Sequence, residues 1–150
     1  MNADTAVFLP DALMINVPEV DEQHAALFAR LARLKHRCIE TNCLPDDDAT
    51  TLLESLRIHC ATEERLANQA GVSFTTHAKK HQQMLKGIEK TLHDVRNEKT
   101  DIFSLIRYIE YWFERHIIEE DKDLGRNLQK APVFLSGDPL TAANASGLPC

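Results

Sequence analysis

Four side chains between residues 59 and 81 have the types and the spacing of metal ligands. His59 and Glu63 are four residues apart, and so are His77 and His81. On a helix, residues four apart lie on one face, one turn from each other. Each pair therefore directs two donor atoms toward one point. Helical bundles build metal sites in their interior from such pairs when they face each other across neighbouring helices.

The segment between the two pairs predicts that they belong to two different helices. Residues 68–71, Asn-Gln-Ala-Gly, are a helix-ending signal, and Ser73 is a predicted N-cap for the next helix. Because the connection is short, the two helices are predicted to be antiparallel neighbours. The two ligand pairs then lie opposite each other.

Further ligand-type residues come out at the same depth in the bundle. In an up-down bundle, the N-termini of the first and third helices and the C-termini of the second and fourth lie at the same end of the bundle. At about 1.5 Å per residue, seven residues fall in one layer about 10 Å thick, whereas His36 and His93 come out about 25–30 Å away. The seven ligand-type residues of this layer, which we take as the candidate metal ligands, are His24, His59, Glu63, His77, His81, His116 and Asp121.

One of these spacings does not suit a regular helix. His116 and Asp121 are five residues apart, which is about 140° on an ideal helix. Both can face one site only if the helix widens locally, as in a π-bulge, or changes near its end. Glu119 and Glu120 compete by spacing, and Glu120, four residues after His116, fits regular helix geometry better. Spacing alone leaves this choice open.

The hydrophobic pattern provides four helices to carry these residues. Apolar residues recur every three or four positions over about 18–41, 48–69, 73–96 and 101–125, with Asp101 as the cap of the fourth helix. No strand pattern competes with these helices. We therefore predict an all-α fold, an up-down-up-down antiparallel four-helix bundle.

The bundle is predicted to be flanked by an arm and a tail. Residues 1–16 lack helical periodicity and are predicted to form an N-terminal arm whose apolar residues cover the core. The bundle is assigned to residues 17–127 and the C-terminal tail to 128–150, either loosely ordered or packed on the bundle through residues 133–135. This tail is the candidate segment for docking an unidentified protein partner.

Composition restricts the class of protein. The chain has 150 residues, 43% hydrophobic and 27% charged, with a net charge of −6, which fits one domain and argues against nucleic acid as a partner. No basic leader or membrane-length apolar stretch is present, so we expect no membrane association. The four cysteines lack a Cys-x-x-Cys pair, which predicts free thiols in a reducing cytoplasm, with a Cys38–Cys43 bridge as the alternative.

Five imidazoles and two carboxylates are too many donors for one metal ion. Carboxylates shared as bridges suit two ions a few ångströms apart. Imidazole with carboxylate is compatible with iron, zinc or manganese, and the absence of thiolate disfavours a closed structural zinc site. The sequence thus predicts a two-metal centre without deciding the metal.

Four motifs, taken together and in order, resemble the hemerythrin family in its bacterial single-domain branch. The motifs are Val-Pro-Glu-Val-Asp-Glu-Gln-His at 17–24, His-x-x-x-Glu-Glu at 59–64, His-x-x-x-His at 77–81 and Trp-Phe-x-x-His-Ile-x-x-x-Asp at 112–121. The resemblance covers about residues 13–127. The family pattern favours Asp121 over Glu120 as the ligand.

The resemblance implies a centre of two non-haem iron ions joined by an oxo or hydroxo bridge. It assigns three histidines to one iron, two to the other, and both carboxylates to bridging positions. The first iron would take His77, His81 and His116, the second His24 and His59, and the bridges would be Glu63 and Asp121.

The function implied by the resemblance is reversible dioxygen binding at the open position of the two-histidine iron. We expect oxygen storage, delivery or sensing by a monomer or weak oligomer, and no enzymatic activity. An apolar roof excluding water is predicted from Phe28, Leu66, Phe113 and Ile117. The alternatives are a peroxide or nitric oxide scavenging enzyme and a metal-storage or structural module.

Overall fold

Four long helical stretches make up most of the chain. The structure is a computed structural model that describes residues 9–131. Its helical segments, in chain order, are a 3₁₀ turn at Asp11–Leu13, α1 at Pro18–Thr41, α2 at Asp46–Ala70, α3 at Thr75–Arg96, α4 at Ile102–His116, a π-helical turn at Ile117–Asp121 and α5 at Lys122–Lys130. The last three segments follow each other directly and form the fourth stretch; Ile117–Asp121 is called the π turn below.

The helices close into a ring. α1 packs on α2, α2 on α3, α3 on α4, and α4 back on α1. With short connections this contact pattern is that of an up-down-up-down bundle, so the predicted all-α fold is confirmed. Over residues 9–131, none of the helices combines the length and the apolar character needed to cross a membrane.

Local signals in the sequence explain where most helices begin and end. Pro18 occupies the first turn of α1, and Asn42 ends that helix in the left-handed conformation with φ 52°. Gly71 ends α2 with φ 71°, its N–H directed at carbonyls of the last turn. The Asp101 carboxylate accepts a hydrogen bond from the Ser104 N–H at 2.8 Å, which confirms the predicted cap of α4.

Three predicted boundaries were wrong. Ser73 does not cap α3; the helix begins at Thr75 after Phe74, whose ring is buried and whose side chain makes no cap. α2 begins at Asp46, two residues before the predicted start, directly after Pro45. The fourth stretch ends at Lys130 rather than near residue 125, because Leu128 is fully buried and continues its apolar face.

One apolar residue near the end of α1 points outward. Ile39 is 61% exposed, whereas its neighbour Cys38 is fully buried and takes its place in the core. Cys38, Cys43 and Cys60 are free thiols, so the alternative of a Cys38–Cys43 bridge is not realised.

The described part of the N-terminal arm, residues 9–16, lies on the bundle. Leu13 and Ile15 are buried, and the Asp21 carboxylate accepts hydrogen bonds from the N–H groups of Ile15 at 2.9 Å and Asn16 at 3.0 Å. The 3₁₀ turn of the arm contacts the π turn. The predicted tail contacts at 133–135 and the apolar Phe8 of the arm lie outside the described residues.

Gly125 allows the arm to approach the fourth helical stretch closely. A Cβ atom at this position would lie 2.6 Å from the Ile15 carbonyl oxygen, a backbone atom that cannot swing aside. We expect Gly125→Ala to destabilise the protein by about 1–3 kcal/mol through this overpacking. Urea unfolding measures the change, with Arg126→Ala as the exposed neighbouring control; equal midpoints for both variants would contradict the prediction.

Candidate metal centre

The structure brings all seven predicted ligands together inside one end of the bundle. Their donor atoms form two groups, and within each group all atoms lie within 4.8 Å of one another. The three-histidine half contains His77, His81 and His116, the two-histidine half contains His24 and His59, and both groups share Glu63 and Asp121. Every one of these residues is buried. His36 and His93 belong to neither group, as predicted.

In the three-histidine half, the imidazoles present Nε2 to the carboxylates. His77 Nε2 lies 3.0 Å from Asp121 Oδ1 and 3.1 Å from Glu63 Oε1. His81 Nε2 is 3.0 Å from the same Glu63 Oε1, and His116 Nε2 is 3.0 Å from the same Asp121 Oδ1. Three nitrogens and two oxygens therefore surround one small volume.

The two-histidine half repeats this arrangement with the other carboxylate oxygens. His59 Nε2 is 2.9 Å from Glu63 Oε2, and His24 Nε2 is 3.0 Å from Asp121 Oδ2. The two nitrogens themselves are 3.0 Å apart. Each carboxylate thus directs one oxygen toward each half, which is the placement required of a bridge between two ions.

The donor separations fit metal ions. Ligands at right angles around an ion, with bonds of about 2.1 Å, are about 3.0 Å apart, and the separations above run from 2.9 to 3.1 Å. Several of the buried atoms that face the cluster also make no hydrogen bond of good geometry despite these short separations: His81 Nε2, Glu63 Oε2 and both Asp121 oxygens. Buried polar atoms without partners are destabilising unless something else binds them. Two metal ions would satisfy these atoms.

The π turn decides which carboxylate enters the site. The backbone widens at Ile117–Asp121, directly after His116, and this allows residues five apart to face the same way. Asp121 is fully buried in the cluster. Glu120 instead accepts a hydrogen bond from His116 Nδ1 at 2.8 Å, on the far side of the ring. The alternative that regular geometry favoured is therefore wrong, and the local widening that the Asp121 assignment required is present.

Two residues outside the predicted set hold histidines in place. Glu120 binds His116 as described, and Gln23 Oε1 lies 2.8 Å from His59 Nδ1. Sequence reasoning considered Glu120 only as a ligand and gave Gln23 no role. Glu120 lies four residues after His116, and Gln23 directly precedes His24. Neither spacing predicts a contact between that side chain and an imidazole.

Aromatic rings cover both halves. The Phe113 ring centroid lies 5.4 Å from that of His24 and 6.3 Å from that of His59, and Phe28 packs on Phe113 at 4.8 Å. Phe74 stacks on His77 at 4.5 Å with an interplanar angle of 14°. Phe74 was not predicted at this site.

The four predicted roof residues do not cover the site to the same degree. Leu66, Phe113 and Ile117 are buried, and Phe28 is half-buried. Of these four residues, Phe113 lies against both imidazoles of the two-histidine half, and Phe28 packs on Phe113.

In the metal-free chain, the carboxylates keep protons on several imidazoles. Burial lowers the pKa of His24, but Asp121 and Glu63 outweigh it and raise this pKa from 6.5 to about 9; His77 behaves in the same way. For His81, burial prevails and the pKa is lowered. Burial acts to raise the pKa of both carboxyl groups, yet the surrounding histidines hold it well below the ordinary range.

These shifts predict how the metal-free protein responds to pH. The raised pKa values of His24 and His77 contribute stability that is fully present below 6.5 and lost as pH rises through about 9. We expect the melting temperature of chelator-treated protein to fall between about pH 7 and pH 10. Metal affinity should rise over the same interval, because a bound ion displaces these protons.

Thermal unfolding across that pH range, with and without metal, measures both effects. His36→Gln serves as the control, since this histidine is exposed and lies outside the cluster. A melting temperature of the metal-free protein that rises with pH would contradict the prediction.

Comparisons of the chain with protein-family models, curated proteins and solved structures find no match. What the structure establishes is a four-helix bundle with a buried histidine–carboxylate cluster able to hold metal ions, compatible with a hemerythrin-like fold.

Proposed function

We propose that this chain is a hemerythrin-like protein that holds two non-haem iron ions and binds dioxygen reversibly. One observation carries the proposal: the five histidines divide three and two around two carboxylates that each direct one oxygen to either half. This division matches the ligand assignment implied by the sequence motifs.

The asymmetry of the ligand set supports a binding role. One group contains five residues and the other four. The two-histidine half therefore provides one donor fewer, which leaves room for a small ligand on that side. Two ferrous ions held here would supply the two electrons that dioxygen takes up on binding and returns on release.

The surroundings of the two-histidine half support reversible binding over turnover. Phe113 and Phe28 are apolar rings over this half, and an apolar cover that keeps water out would protect a bound ligand from spare protons. Cys60, next to His59, is buried, and burial raises the pKa of its thiol, so it remains protonated and a poor nucleophile. This thiol is therefore a poor acid or base for a catalytic cycle, and we propose a binding protein rather than an enzyme.

The test is metal loading followed by exposure to dioxygen. The metal-free chain is loaded with ferrous iron under argon, its iron content is measured, and absorption spectra are recorded in air and after dioxygen removal. We expect two irons per chain and near-ultraviolet bands that appear with dioxygen and reverse on its removal.

Other outcomes would select the alternatives. Turnover of peroxide or nitric oxide faster than by free iron would favour a scavenging enzyme. Metal content well below two per chain, with folding unchanged by chelator, would favour a structural or storage module.

For the physiological setting we propose oxygen storage, delivery or sensing. Storage, delivery and sensing all use the same site, and a protein partner docking on the tail would belong to residues outside the described range. Cytoplasmic localisation and a monomeric or weakly oligomeric state likewise rest on the sequence alone.

A further inference from the structure

The two halves of the centre differ in the residue that lies within hydrogen-bond distance of a histidine Nδ1, the ring nitrogen that faces away from the cluster. In the three-histidine half, His116 Nδ1 lies 2.8 Å from the Glu120 carboxylate, whose side chain is 17% exposed. In the two-histidine half, His59 Nδ1 lies 2.8 Å from the Gln23 amide oxygen. One partner is an anion and the other is neutral.

Hydrogen-bond accounting determines the tautomer of both rings. Thr62 donates its single hydroxyl proton to the Ile58 carbonyl at 3.0 Å, so toward Gln23 it accepts. The Gln23 NH₂ group therefore faces Thr62, at 3.1 Å, and its carbonyl faces His59. The proton of that contact lies on His59 Nδ1, which leaves Nε2, 2.9 Å from Glu63 Oε2, as the nitrogen that faces the cluster.

The same accounting is shorter for His116. A carboxylate only accepts, so a proton lies on His116 Nδ1, and Nε2 is the nitrogen that faces the cluster. Both rings therefore keep a proton on Nδ1 and present Nε2 as the nitrogen available to a metal ion.

We propose that Glu120 and Gln23 are positioning residues whose difference in charge makes the two metal positions unequal, with the three-histidine half filling first and holding its ion more tightly. This inference rests on the two-metal centre of the proposed function. It adds an order of loading that neither the ligand spacing nor the donor count establishes by itself.

Two physical effects act in the same direction. A carboxylate behind an imidazole raises the basicity of the nitrogen that faces the metal, and removing such a partner typically lowers metal affinity about 10–100-fold. A neutral amide orients the ring without this charge effect. The three-histidine group also offers five residues against four, so its first ion gains more donors.

In the experiment, the metal-free full chain is titrated with Zn²⁺, and calorimetry and native mass spectrometry monitor the binding. We expect two steps, with a one-ion species predominating below one equivalent. Glu120→Gln keeps the size and a hydrogen-bond acceptor but removes the charge, and it should weaken the first step about 10–100-fold. Gln23→Glu should strengthen the second step, so that in either variant the one-ion species declines.

Matched controls separate these effects from surface charge. Glu119→Gln and Glu22→Gln remove exposed carboxylates next to the two positions and should leave both steps unchanged. The melting temperature of each metal-free variant detects a purely structural effect. Nitrogen chemical shifts of His116 report its tautomer directly, and Glu120→Ala should abolish the preference for the Nδ1 proton.

The outcomes distinguish this inference from the proposed function. Two ions that bind in a single step, or two steps that neither Glu120→Gln nor Gln23→Glu changes, would overturn the inference and leave a two-metal protein. Failure of the unaltered chain to bind two ions of either zinc or ferrous iron would overturn the proposed function and this inference together.

Discussion

Replacing Glu63 by alanine is expected to leave fewer than two metal ions on each chain and to abolish any reversible absorption change with dioxygen. Glu63 is the only acidic side chain of α2 in the cluster, and its oxygens lie 3.0 Å from His81 Nε2 and 2.9 Å from His59 Nε2. Alanine therefore removes a donor from both halves at once. No other single substitution except one at Asp121 has this property.

The same substitution should destabilise the metal-free protein. Glu63 is fully buried and faces protonated His24 and His77, whose positive charges would lose a compensating anion. Removing one partner of a buried ion pair typically destabilises a protein by about 3–5 kcal/mol. We take this figure as the upper limit of the expected loss in the free energy of unfolding.

Metal analysis and urea unfolding measure the two consequences of Glu63→Ala. Glu64→Ala is the matched control, because this neighbouring carboxylate is exposed. Glu63→Gln retains the volume of the side chain and tests metal binding if the alanine variant does not fold. Two ions per chain in both Glu63 variants would contradict the assignment of this residue to the centre.

Opening the roof at Phe113 should convert reversible binding into irreversible oxidation. Phe113 is 2% exposed and its ring lies beside both imidazoles of the two-histidine half. Phe113→Ala would admit water and protons to this side. We expect oxidation of the dioxygen-bound protein to become at least about tenfold faster, which corresponds to a barrier lower by about 1.4 kcal/mol. The cavity should also lower stability by about 3–5 kcal/mol.

Decay of the near-ultraviolet bands in air measures the oxidation rate. Phe113→Leu leaves a smaller gap and keeps the test available if the alanine variant does not fold; its rate should lie between those of the other two proteins. Phe103→Leu, on the same helix but outside the rings around the cluster, is the control. An oxidation rate that is the same in all of these proteins would show that Phe113 does not protect the site.

The ligand set shows what can be derived without coordinates. His59 with Glu63 and His77 with His81 are paired by helical spacing, and His24 joins them by depth along the bundle. Both arguments use only the rise and the period of a helix, which are the same in every protein. The fold class follows from the same periodicity, since four amphipathic helices with short turns have few ways to bury their apolar faces.

The choice between Glu120 and Asp121 marks the limit of that reasoning. Regular helix geometry selects Glu120, and the family pattern selects Asp121, which the π turn brings to the cluster. Such a widening replaces standard hydrogen bonds within one turn and leaves no periodic signal. It persists because the burial of Ile117 and Asp121 on one side, and the contact with the N-terminal arm, hold it in place.

By itself, the sequence determined the four helices, the five histidines and Glu63 with their common depth, because these depend on the rise and period of a helix; the resemblance to a family, and not spacing, selected Asp121. Only the tertiary structure decided which residues contact the donor imidazoles from outside the cluster. Gln23 contacts His59, Glu120 contacts His116, and Phe74 stacks on His77. These contacts depend on how each helix is rotated about its axis and on where it begins. Packing against the other three helices sets that rotation, and no spacing within a single segment records it.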